Sequence, residues 1–202
     1  MGTRRASTAE RRRDARRGVL LDAAIRLFAR CGYNATTVSM IVREAHSSIG
    51  SFYVHFRNKE DVYEAAVSSC ADEALPALFA ARSEGKGVRP TLFAGCQKLF
   101  LQFAQHKEMA RLLQLDVQGT PSNAEQVRHK IVSGKRMEVE EMLRALYPRL
   151  APERIRATAC CVLGAILGTY YCWSAGELDT EMQADEMANS VAQFSIRAIE
   201  EP

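Results

Sequence analysis

The sequence predicts an all-α protein of about nine helices. Apolar residues recur at helical spacing along most of its 202 residues, and no segment alternates with period two for long enough to make a strand. Capping residues and Gly/Pro breakers divide the apolar stretches at intervals suited to short and medium helices.

Taken in order, residues 1–16 are polar and Arg-dense with almost no apolar content, which predicts a flexible basic arm. From Val19, the residues Leu20, Ala24, Leu27, Phe28 and Cys31 follow helical spacing, and Gly32 is a natural stop. Thr37 is an N-cap for a short helix carrying Val38, Ile41, Val42 and Ala45. Ser48 caps a second short helix carrying Ile49, Phe52, Tyr53 and Phe56. Asn58 caps a fourth helix, with Glu60 and Asp61 in its first turn, running towards Arg82 with a bend at Pro76. Residues 83–90 read as a loop.

Beyond the loop, Leu92, Cys96, Leu99, Phe100 and Phe103 form an apolar stripe, and a short helix follows around Met109–Asp116. Gly119-Thr-Pro121 breaks the chain, and Ser122-x-x-Glu125 is a capping box for a long helix ending near Tyr147-Pro148. Pro152 opens an apolar helix that stops at Gly176, and Thr180-x-x-Gln183 caps the last one, with Met187, Val191, Phe194 and Ala198 on one face.

Charge is divided unevenly. Residues 1–60 hold 12 Lys/Arg against 5 Asp/Glu, whereas the rest of the chain is mildly acidic, for a total of +3. A basic head on an acidic body predicts that only the head faces a polyanion. The six cysteines include no Cys-x-x-Cys and the four histidines no His-x-x-x-His, so neither a disulfide framework nor a metal site is expected, and buried free thiols in a reducing cytoplasm are. No acids, bases or nucleophiles gather at spacings that suggest catalysis, and no cofactor is implied. Residues 157–176 lack charge over a membrane-spanning length. Their strongest apolar residues, 159, 162, 163, 166, 170 and 173, nevertheless recur as a stripe, which predicts a helix packed on helices and no membrane partner.

Residues 36–56 hold the most informative pattern. Two short helices separated by three or four residues form a helix-turn-helix, whose second helix enters the major groove of DNA. On a helical wheel Ile49, Phe52, Tyr53 and Phe56 share one side, and Gly50, Ser51, Val54 and His55 the other. The small residues permit close approach to base edges, Ser51 can bond to a base or phosphate, and Val54 suits a thymine methyl. Lys59 stands in a first helical turn, where the dipole disfavours a cation; a phosphate contact would explain it, and a plain exposed lysine is the alternative. Arginines 4, 5, 11, 12, 13, 16 and 17 suit an arm along phosphates or in the minor groove.

Residues 19–67, VLLDAAIRLFARCGYNATTVSMIVREAHSSIGSFYVHFRNKEDVYEAAV, resemble the DNA-binding domain of the TetR family of transcriptional regulators. The marks are Ala24, Leu27-Phe28, Gly32-Tyr33, Thr36-Thr37-Val38, Ile41, Ala45, Gly50-Ser51-Phe52-Tyr53, His55-Phe56 and Lys59-Glu60. The resemblance implies a DNA-binding domain over 17–67 and a helical effector-binding and dimerisation domain over 68–202. It implies DNA contacts by Thr37, Ser48, Ser51, Tyr53, His55 and Lys59, with Gly50 allowing close approach. Two positions depart: His46-Ser47 replaces the family's usual Gly-Val in the turn, and Ile49 replaces a basic or polar residue, which alters the contact made there.

The resemblance further implies a ligand pocket among the middle helices, expected at Cys96, Leu99, Phe100, Phe103, Met109, Leu113, Met137, Met142 and Tyr170, a lining that suits an apolar effector. It implies a homodimer through the last two helices, where Gly164-x-x-x-Gly168 permits close contact and Val191 and Phe194 offer a partner stripe. The expected function is a ligand-responsive cytoplasmic repressor of a palindromic operator, released when the effector shifts the fourth helix. The rivals are an all-helical small-molecule-binding protein or enzyme, and a regulator tethered to a membrane through 157–176.

Overall fold

The computed structural model describes residues 8–74, 88–113, 122–174 and 183–200. Among them the chain forms nine helices and no strand: α1 (Thr8–Ala35), α2 (Val38–Glu44), α3 (Ile49–His55), α4 (Lys59–Ala74), α5 (Val88–Gln105), α6 (Lys107–Leu113), α7 (Ser122–Leu146), α8 (Pro152–Ser174) and α9 (Ala184–Glu200).

The first three helices close on a small core. Leu20, Ala24, Leu27 and Phe28 of α1 bury against Ile41 and Val42 of α2 and against Phe52 and Phe56 at α3. The caps are those the sequence specifies. The Thr37 hydroxyl accepts from the Met40 N–H (3.2 Å), Ser48 from Ser51 (3.1 Å) and the Asn58 side chain from Asp61 (2.8 Å). Gly32 interrupts α1 at φ 77°, ψ 169°, a conformation that essentially only glycine adopts. Its carbonyl is taken by the buried Thr36 hydroxyl at 2.7 Å.

After α2, His46 adopts φ 45°, with the His46 N–H on the Arg43 carbonyl and the Ser47 N–H on that of Val42. These two bonds make a Schellman stop, in which histidine takes the left-handed place that glycine fills most easily. The turn therefore survives the substitution.

The body stacks α9 most extensively on α5, and also on α8, while α7 packs on α4 and α8. The short α6 touches α1, α4 and α8 and so joins the two halves. The α8 stripe is buried at Ile155, Ala159, Val162, Leu163, Ile166 and Tyr170. Pro152–Trp173 is long and apolar enough to cross a membrane by length and composition. On α7 the buried Glu140 carboxylate is held by Arg136 and Arg144, which satisfies an otherwise costly burial.

Several expectations need correction. The arm is helical from Thr8: α1 is anchored by its core turns, so extending it backwards requires no new nucleus, and Arg, Ala and Glu are good helix formers. Residues 88–90 of the expected loop belong to α5, whose first turn accommodates Pro90. The short helix expected at 109–116 begins two residues earlier, at Lys107, and is described to Leu113. The expected Thr180 cap, the Gly176 stop, the bend at Pro76 and residues 1–7 lie outside the described residues. At the start of α9 the Gln183 N–H donates to the Glu186 carboxylate at 3.2 Å, one half of a capping box. The cysteines are free but not uniformly buried: Cys70 and Cys96 are, whereas Cys160 and Cys161 are exposed.

Candidate nucleic-acid interface

Only Phe52 of the seven α3 residues is buried, joined at the C-cap by Phe56. A helix of two turns offers its neighbours a narrow face, and two aromatics four residues apart fill it. Ile49 and Tyr53, which share the side of Phe52 on a helical wheel, are left 52% and 57% exposed, beside Val54 at 60%. Gly50 is exposed, Ser51 and His55 half-buried, and Thr37 and Ser48 exposed at the helix starts. A Cβ built on Gly50 would meet only the Ser48 hydroxyl at 4.0 Å, so the bareness of this position is not demanded by packing within the chain. The result is an uncovered surface of hydroxyls, one phenol and small apolar groups, broad enough for a groove of DNA.

Lys59, expected at a phosphate, is engaged within the chain. Its ammonium donates to the Tyr33 and Thr36 carbonyls, both at 3.0 Å, and lies 4.3 Å from the Tyr33 ring centre. These carbonyls end α1, where the helix dipole is negative. The misplaced cation of α4 is thus a well-placed cap of another helix, and its partial burial lowers its pKa. Phe28, Tyr33 and Tyr63 pack around this corner with centroids 5.0–5.9 Å apart.

Two arginines of this surface, Arg17 of the basic arm and Arg57, make contacts that the sequence does not show. The Arg17 guanidinium sits 5.1 Å over the Phe56 ring, which fixes it beside the C-terminus of α3. Arg57, its side chain 82% exposed, pairs with Asp61 at 2.9 Å, and that bond holds the Asp61 carboxyl below its usual range. Hydrogen bonds local to a turn and a contact between residues 17 and 56 leave no periodic signal. His55 feels this surroundings: partial burial and then Arg13, Arg17 and Arg16 lower its pKa below 6.5, against the weaker pull of Asp14.

The residues expected to line an effector pocket are brought together only in part. Leu99, Phe103 and Leu113 line an internal cavity with Ala71, Val132, Leu163, Ile166 and Leu167. Its volume is about 20 Å³ and its lining wholly apolar, so it stays dry. Cys96, Phe100, Met142 and Tyr170 are buried in the packed body, where Phe100, Tyr170 and Trp173 form an aromatic cluster. Met137 is 63% exposed, because α7 turns that side outward. The side chain of Met109 lies outside the described residues.

Of the residues expected at a dimer surface, Gly164, Gly168 and Phe194 are exposed, and Val191 is buried in the chain's own core against α5 and α8. Among the described residues no cluster of His, Cys, Asp or Glu is arranged to hold a metal ion.

Comparison with known proteins agrees with this geometry. Residues 20–66 match the model of bacterial regulatory proteins, tetR family. The chain is 27% identical over 90 residues to the HTH-type transcriptional regulator YuxN of Bacillus subtilis, covering 45% of this chain and 31% of that protein. It is 38% identical over 53 residues to IcaR of Staphylococcus aureus, the negative transcriptional regulator of the biofilm operon icaADBC, covering 26% and 28%. The matched stretches thus span under a third of either relative.

The whole fold resembles FadR of Bacillus halodurans, a fatty acid degradation regulator, with TM-score 0.77, 20% identity and coverage of 92% and 96%. It also resembles FadR of Bacillus subtilis, solved with stearoyl-CoA, with TM-score 0.76, 21% identity and coverage of 91% and 99%. Residues 20–66 therefore match the DNA-binding domain model of the tetR family of bacterial regulatory proteins, and the chain as a whole shares the fold of these solved structures.

Proposed function

We propose that the protein is a ligand-responsive transcriptional repressor, not an enzyme, acting in the cytoplasm on a palindromic operator. The carrying observation is the uncovered α3 face, where Ile49, Gly50, Tyr53 and Val54 are exposed and Ser51 half-buried beside the Thr37 and Ser48 caps. In this reading a homodimer sets two α3 helices in successive major grooves, roughly 34–36 Å apart.

The second copy docks on the outer side of α8 and α9. There Cys160, Cys161, Gly164, Gly168, Tyr171 and Phe194 are exposed, and a Cβ on either glycine meets nothing within 4 Å. Two such sides facing each other about a twofold axis would bury this apolar surface, which accounts for the charge-free stretch of α8 from Ala157 onward without a bilayer. Phe194→Glu is then expected to yield a monomer by analytical ultracentrifugation.

The effector is an apolar molecule that opens the cavity beneath α4. Ligand pockets usually measure about 300–1,000 Å³, so occupancy must part the helices around Leu99, Phe103 and Leu163. Ala71 of α4 is in that wall, and α4 carries Lys59 onto α1; expansion therefore moves the element that sets α3 against DNA. The effector needs only to prefer the parted state. The fold's likeness to two fatty-acid regulators makes a long acyl chain the first candidate to try.

The test is binding to palindromes upstream of the protein's own gene against random duplex, with and without long-chain acyl-CoA. A preference for one palindrome, reversed by the acyl-CoA, is expected. Equal affinity for every palindrome and for random DNA would refute the repressor reading.

A further inference from the structure

The N-terminal ten described residues pose a physical question. Residues 8–17 are helical, yet every one is exposed, and the only apolar side chains among them are Ala9 and Ala15. Such a segment buries nothing in the chain, while it holds five arginines against Glu10 and Asp14. A helix polar on all sides needs some other use for its surface.

Its arginines are not spread evenly. Positions 13, 16, 17 and 20 are spaced i, i+3, i+4 and i+7, and from Leu20 the same stripe continues through Ala24, Leu27 and Phe28 into the core. The face of α1 that packs on the helix-turn-helix thus changes from hydrocarbon to guanidinium where the core ends. Arg17 marks the changeover, seated over the Phe56 ring at the α3 C-cap. Arg13 and Arg16, one turn further out, lie within electrostatic reach of the His55 imidazole in the last turn of α3.

We infer that this arginine face is a second, sequence-independent DNA contact, in which Arg13 and Arg16 lie along the phosphates flanking the groove entered by α3 and Arg17 anchors them. The inference rests on the DNA-binding reading and adds to it. The extension has fixed helical geometry and direction, so its cations arrive pre-positioned on the side of the duplex next to the α3 C-terminus. Guanidinium groups suit that task, because their fork of donors matches phosphate oxygens. The contact reads no bases, so it raises affinity for all sequences alike.

The experiment measures binding of the full-length protein to a fluorescein-labelled random-sequence duplex from about 50 to 200 mM salt. Wild type is compared with R13A/R16A and with R149A/R156A, which removes equal charge from the body. Alanine preserves helix propensity, so the extension stays helical, checked by circular dichroism. R13A/R16A is expected to lower the slope of log affinity against log salt by about 3.6 for the dimer, four contacts at ~0.9 each; the wild-type advantage then shrinks about 150-fold across the range. R149A/R156A is expected to keep the wild-type slope.

An unchanged slope in R13A/R16A overturns the inference while leaving the α3 reading in place. So does an equal fall in R149A/R156A, which would mean that net charge alone is responsible. Failure of wild type to bind any duplex removes the DNA-binding reading itself, and the inference with it.

Discussion

The Lys59 ammonium stands 3.0 Å from the Tyr33 carbonyl and 4.3 Å above the Tyr33 ring, so one residue of α4 closes the end of α1 in two ways. This contact, with the bond to the Thr36 carbonyl, ties the helix that leads into the body to the helix that supports the DNA-facing pair. The helix-turn-helix and the helical body are therefore joined at a polar corner as well as through α6.

Lys59→Met is expected to destabilise the protein by about 1–2 kcal/mol, since two helix-end carbonyls lose a charged donor. Thermal unfolding checks it. A lysine that served phosphate alone would leave Tm unchanged and alter only DNA affinity.

Gly32→Ala isolates backbone strain. Nothing lies within 4 Å of the added methyl, so the whole effect comes from φ 77°, ψ 169°. The expected loss is about 1–3 kcal/mol, with Tm falling by roughly 2–10 °C. A Tm within one degree of wild type would show that α1 can end without this conformation.

Tyr170→Phe tests the aromatic cluster of the body. The Tyr170 hydroxyl donates to the Phe103 carbonyl at 3.0 Å, and burial pushes its pKa up to about 12. Phe103 lies in the last turn of α5, where carbonyls run out of helical partners. Losing the hydroxyl at constant ring volume should cost about 1–2 kcal/mol in denaturant unfolding.

His55 gives a pH dependence with a definite sign. Its folded pKa lies below 6.5, so the unfolded chain binds more protons between the two values. Its contribution to stability therefore rises with pH through that window and is lost below it. DNA phosphates oppose Arg13, Arg16 and Arg17 and raise the imidazole pKa, so binding takes up a proton. Affinity is expected to strengthen from about pH 7.5 to about pH 6, and His55→Asn to flatten the trend in fluorescence anisotropy.

The helix-turn-helix was readable from the chain because its signals are local. Thr37, Ser48 and Asn58 each cap a helix through a bond three residues on, and Gly32 and His46 end helices through their own backbone angles. The candidate site was readable in its caps and small residues, but the sides of α3 were not. A wheel groups Ile49 and Tyr53 with Phe52, and only the positions of α1 and α2 decide that the last is covered and the first two are bare.

By itself, then, the sequence determined the helices, their caps, the basic head and the resemblance of residues 19–67 to a regulator's DNA-binding domain, because each is written within a few neighbouring residues. Tertiary structure decided that Lys59 caps an α1 end 26 residues away in sequence, that Arg17 stacks on Phe56, that Val191 turns inward and that Met137 turns outward. The physical reason is that periodicity shows how apolar and polar faces alternate around a helix, whereas which face is buried depends on the neighbour that arrives to cover it.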